Sequence, residues 1–152
     1  MAKENAALFI GHSECPQITV EVLKPEIEKL IRECGVSEFY NGGQGHFDRI
    51  AAIAVHELKK VYPQIKSYLV IPYMNFTIFD ESLFDEIIYP FPKGYINNTN
   101  YRSAIPKRNE YMVKQSSYAI CYVEHLWGGA VKTYRKAQRE NLTVINLCKT
   151  FL

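Results

Sequence analysis

The strongest constraint on this chain is an alternation. Short apolar runs, each strand-like, are followed by segments with apolar residues at helical spacing, and two of the joints are glycine clusters. Ala6-Ala7-Leu8-Phe9-Ile10-Gly11 is continuously apolar, as a strand covered on both faces must be. Leu23, Ile27, Leu30, Ile31 and Cys34 follow at helical spacing. Pro25 is expected in the first turn of that helix and Gly35 at its end. Residues 38–40 make a second strand, and Asn41-Gly42-Gly43-Gln44-Gly45 comes next. Asn-Gly often marks a hairpin, but a hairpin needs alternating apolar residues after it. Here they fall at Phe47, Ile50, Ala51, Ala54, Val55, Leu58 and Val61, so strand–turn–helix is the better reading.

Residues 67–72 read as a third strand and 85–89 as a short fourth. Residues 91–100 carry two prolines, a glycine and three asparagines, which makes a loop, and long loops in compact domains are often functional. A helix is expected over 106–116 and a strand over 118–123. Gly128 or Gly129 then opens a helix with Val131, Tyr134 and Ala137 inward and Asn141 at its end. Residues 143–147 form the last strand. This order predicts an α/β fold, a three-layer α/β/α sandwich around a mostly parallel sheet of five to six strands, in one domain over 1–152. Such folds bind ligands at the carboxyl ends of the strands, near the point where the strand order reverses.

A glycine loop that opens a helix leaves unpaired N–H groups at the positive end of the helix dipole, a natural place for phosphate or carboxylate. The first loop offers Gly42, Gly43, Gln44 and Gly45; the second offers Gly128, Gly129 and Ala130, with the Thr133 hydroxyl beyond. In the expected fold both share an edge with Gly11-His12 and Pro72-Tyr73. Asp48 either caps the first-loop helix or meets a ribose hydroxyl. Arg108, between Lys107 and Asn109, can pair with phosphate through its planar fork. Tyr73 or Trp127 can stack on a base. Together these residues predict a nucleotide-type ligand, and Gly43→Asp is expected to abolish its binding with the fold intact.

Several classes drop out. The spacing fits neither Gly-x-Gly-x-x-Gly nor the P-loop, and there is no Gly-x-Ser-x-Gly elbow. His12, His46, His56 and His125 lack metal-ligand spacing, so neither metal nor cofactor is expected. With 18 basic and 16 acidic residues the net charge is +2, and the largest runs of cations are Lys59-Lys60 and Arg135-Lys136. Nucleic acid is therefore not an expected partner. Four cysteines without a Cys-x-x-Cys pair suggest a reducing compartment. No apolar run approaches 18 residues and the first residues lack a signal-peptide core, so no membrane association is expected and the chain reads as cytoplasmic.

The combination resembles the SLOG superfamily, the Rossmann-like domains that include DNA-processing protein A and the Lonely Guy phosphoribohydrolases. The matching pieces are Phe9-Ile10-Gly11-His12, Tyr40 through Asp48 with Ala51-Ala52, Ile71-Pro72-Tyr73, Arg108-Asn109-Glu110-Tyr111-Met112, and Gly128 through Thr133. The resemblance implies a nucleotide or nucleotide-derived ligand along the glycine loops, in a binding or sensor domain. By analogy it also implies a homodimer. The phosphoribohydrolase branch uses an arginine four residues before a methionine, which Arg108 and Met112 match; in an enzyme of this kind Arg108 would be catalytic. That branch also carries Pro-Gly-Gly-x-Gly-Thr-x-x-Glu with a catalytic glutamate. Here the third glycine is absent and Arg135 and Lys136 stand in the region of the glutamate. Cations there oppose an oxocarbenium charge, so nucleoside-monophosphate hydrolysis is the alternative to binding.

Overall fold

The computed structural model of the chain describes residues 2–151. Strand β1 (Ala6–Gly11) sends Ala7 and Phe9 into one core and Ala6, Leu8 and Ile10 into another. A strand whose alternate side chains are apolar on both faces belongs inside a covered sheet. The first face is covered by α1 (Val20–Cys34) and α2 (Gly45–Leu58), through residues such as Leu23, Ile27, Phe47 and Val55. The second is covered by α3 (Ala104–Gln115) and α4 (Gly129–Arg139), through Met112, Val113, Val131 and Ala137.

The other strands are β2 (Glu38–Asn41), β3 (Lys66–Val70), β4 (Glu86–Ile88), β5 (Tyr118–Tyr122) and β6 (Thr143–Asn146). They pair in the order β4-β3-β2-β1-β5-β6, each pair parallel. This is the expected three-layer sandwich, with six strands and a wholly parallel sheet. The chain winds outward from β1 to β4, then crosses back to add β5 and β6 on the far side. The order reverses between β1 and β5. The helix after β1 lies on one face and the helix after β5 on the other, so the two loops part and leave a crevice at the carboxyl edge.

Some local expectations shift. Pro25 lies in the second turn of α1, because Thr19 caps the helix one turn earlier than expected, its Oγ1 accepting from the Val22 N–H at 3.3 Å. The proline costs the helix one hydrogen bond on its exposed side. Val61 is not part of α2, which ends at Leu58; it is 67% exposed. Pro63 disfavours helical backbone at Tyr62, so the chain leaves the helix before it. Gly35 and Asn141 do end helices, at φ of 69° and 63°. All four cysteines are free; Cys34 is exposed, and Cys15, Cys121 and Cys148 are buried. Among the described residues no helix is long and apolar enough to cross a membrane.

Candidate functional site

The crevice holds a cavity of about 510 Å³, within the roughly 300–1,000 Å³ of small-molecule sites. Of the residues expected at a site, Gly11, His12, Gly42, Gln44, Asp48 and Arg108 line it, as do Asn109, Gly128, Gly129, Ala130 and Thr133. Gly43, Gly45, Pro72 and Tyr73 stand outside its lining. Sequence reasoning missed Ser13, Glu14, Ile105 and His125, which also face the cavity. No local motif marks them; the reversal of strand order brings the β1 and β5 loops together.

Arg108 forms the floor. It is 1% exposed, and α3 carries it against the end of the β2–α2 loop. Its Nη1 donates to the carbonyls of Gly42 and Val70, both at 2.7 Å. Nη2 donates to Gln44 Oε1 at 2.6 Å, and Nε to Asn109 Oδ1 at 2.8 Å. A Cβ on Gly42 would meet the guanidinium carbon at 3.1 Å, so glycine there admits the flat group against the backbone. Four of five N–H groups are thus occupied, by neutral oxygens, and no carboxylate comes within ion-pair distance among the described residues. Burial pulls the guanidinium down to about 10, partly offset by the Asp48 charge, so it stays cationic at neutral pH. The fifth N–H, on Nη2, has no protein acceptor among the described residues.

The first glycine loop is not the row of bare amides that its sequence suggests. The Gly43 N–H donates to Asn41 Oδ1 at 2.7 Å, and the Gln44 N–H to Asp48 Oδ2 at 3.0 Å. Asp48, in the first turn of α2, thus folds its carboxylate back onto the residue that precedes the helix. Asn41 Nδ2 also donates to the Asp48 carbonyl at 2.8 Å, which ties the loop into a closed unit. Gly43 has φ of 70°, and a Cβ there would sit 2.6 Å from Leu69 Cδ1. Gly43→Asp would strain the core, so the expectation that it spares the fold is corrected. Pro72 is buried, while Tyr73 packs edge-on against Phe76 on the other flank of Arg108. That packing is why neither reaches the cavity.

The second loop keeps its donors. Gly128, at φ of 95°, precedes α4, and no side chain caps that helix. Thr133 spends its hydroxyl proton on the Gly129 carbonyl at 3.0 Å. The loop is held from below by Asn146, whose side chain accepts from the Val123 N–H and donates to the Val123 carbonyl, both at 3.0 Å. Above it three rings stack in series. His12 lies 3.6 Å from His125, centroid to centroid, and His125 lies 3.8 Å from Trp127, all near parallel. His12 Nε2 accepts from the Glu124 N–H at 3.0 Å, which puts its proton on Nδ1. Burial, with the neighbouring His125, holds His12 below its ordinary pKa and keeps it neutral. Trp127, 71% exposed, ends the stack at the rim with its outer face open.

The cations do cluster, contrary to the sequence reading. Lys132, Arg135, Lys136 and Arg139 recur at i, i+3, i+4 and i+7 along α4, which contains no acidic residue. Counting adjacent pairs such as Arg135-Lys136 hid a stripe that becomes continuous only when wound into a helix.

Residues 8–144 match the model of the YpsA SLOG family. The chain belongs to that family. No curated protein matches it. Among solved structures, this SLOG chain is similar to DNA processing protein A from Streptococcus pneumoniae, at 15% identity and a TM-score of 0.65, over 91% of this chain and 48% of that one. It is also similar to DNA processing protein A from Helicobacter pylori, a structure described for its single-stranded DNA binding mode, at 15% identity and a TM-score of 0.64. That match covers 93% of this chain and 64% of the other. The chain thus spans about half to two thirds of the proteins it resembles, and at this identity the likeness is one of fold.

Proposed function

We propose that the crevice binds a nucleotide or nucleotide-derived ligand, as a binding or sensor domain. One observation carries the reading: a buried guanidinium with an N–H to spare, an uncapped helix N-terminus and an open indole face border one cavity. Phosphate goes to the α4 N-terminus and Arg108, and the base goes to the outer face of Trp127. The neighbour described for single-stranded DNA binding takes a polymer of the same base-and-phosphate chemistry, which supports a ligand of this class. Free thiols fit a cytoplasmic setting, and pairing of two copies, implied by the resemblance, is read by light scattering on the same preparation.

Calorimetry with AMP tests the proposal. Trp127→Ala removes an exposed ring and leaves the fold, and AMP binding is expected to weaken by roughly 1–3 kcal/mol. Equal affinity in the variant would remove the base from that face, and no heat with AMP or other nucleotides would remove the ligand class. Hydrolysis remains the second reading because Arg108 and Met112 share the cavity with the Asp48 carboxyl. Free adenine released from AMP, and lost in Arg108→Lys, would establish it.

A further inference from the structure

The cavity does not end at α4. Asn109 and Thr133 line it and also line a second groove of about 380 Å³ between α3 and α4. Lys107, Lys132, Lys136 and Arg139 border that groove. Its one acid, Glu110, is engaged by Lys136 and lies 4.0 Å from Lys114. Lys107, Lys132 and Arg139 form no ion pair among the described residues. The Lys107 ammonium instead sits 4.8 Å from the centre of the Tyr95 ring.

This arrangement is costly in the absence of an anion. Lys132–Lys136 and Arg135–Arg139 are like-charge pairs four apart on one helix, an arrangement that destabilises a helix. Lys132 also lies in the first turns of α4, where the helix dipole disfavours a cation. From Lys132 to Arg139 the stripe runs about 10 Å at 1.5 Å per residue. It begins beside the helix end assigned above to the first phosphate.

We propose that the α3–α4 groove is a second phosphate subsite, which takes a phosphate-bearing extension of the ligand seated in the main cavity. The proposal rests on the nucleotide reading of that cavity. A further phosphate has this chemistry whether it belongs to a nucleoside polyphosphate or to an oligonucleotide, and the choice of probes separates the two.

Calorimetry would compare AMP, ATP, the dinucleotide pdApdA and inorganic tripolyphosphate on the natural protein and on Lys132→Glu/Arg139→Glu. Both positions are exposed, so circular dichroism is expected to be unchanged. ATP or pdApdA is expected to bind about tenfold tighter than AMP, with that advantage lost in the double variant and weakened by salt. A larger advantage for ATP identifies a polyphosphate, and one for pdApdA identifies a strand. If neither exceeds AMP, or if the advantage survives charge reversal, the subsite is overturned while the cavity reading stands. If AMP is silent but tripolyphosphate binds and is lost in the variant, the cavity reading falls and the groove remains a phosphate site. Silence from all four probes overturns both.

Discussion

Asp48 is buried beside Arg108, and its carboxyl ionises only near pH 6, against an ordinary value of 3.8. Burial is the cause; the Gln44 N–H and the Arg108 charge offset part of it. The folded protein therefore holds this proton more tightly than the unfolded chain does. The resulting stabilisation is complete below about pH 4 and is lost as the pH rises through 6, a change of about 3 kcal/mol. Asp48→Asn keeps an oxygen for the Gln44 N–H and removes the titration. Urea unfolding at pH 4 and pH 7 is expected to show the natural protein losing stability relative to the variant across that interval. Parallel pH profiles would dismiss the assignment. Arg108 gives a second test at this scale. Arg108→Lys preserves the charge but cannot reach the Gly42 and Val70 carbonyls, Gln44 and Asn109 together, and is expected to cost about 1–3 kcal/mol in the same assay. Neither residue was fully legible in sequence. Asp48 read as either a cap or a ribose contact, and its bond to the Gln44 N–H was within reach of that reading because it spans only four residues. Arg108 read as a phosphate partner, but its burial was not legible, because three of its four acceptors lie 38 to 66 residues away.

The joints between strands and helices show how much one residue type can hide. Gly11, Gly43 and Gly129 look alike in sequence, and all were read as ligand-facing. A Cβ on Gly11 would lie 2.2 Å from Phe47 Cγ, in the middle of a buried ring. Gly11→Ala is expected to cost about 1–3 kcal/mol through overpacking. A Cβ on Gly129 meets nothing within 4 Å. Gly129→Ala is expected to hold stability or raise it by about 0.5 kcal/mol, because alanine loses less chain entropy in a helix. Thermal unfolding separates the two, and equal losses would mean that the α4 end is packed after all. The elements themselves were legible because apolar spacing is a property of neighbours. Their ends were less so: the start of α1 is set by Thr19, and the end of α2 by the restriction that Pro63 places on Tyr62.

Across the whole molecule, cohesion falls from the middle of the sheet to its edges. β1 is flanked by β2 and β5 and buried on both faces, whereas β4 is three residues long and largely exposed. Native-state hydrogen exchange is expected to be slowest at β1 and β5 and fastest at β4, with α2 following β1 because Phe47 and Phe9 pack together. Slow exchange at β4 would point to a cover over that edge. The class of fold followed from the alternation of elements, since parallel strands require crossover helices. The pairing of β1 with β5, more than a hundred residues apart, has no local sign. The hollow therefore exists because the winding changes direction, and of the strands only the end of β1 lines it. A segment such as 124–128 can be exchanged for another of similar length, and the strands on either side would still close on the same register. A molecule built this way can have its hem edited while the cloth stays as woven.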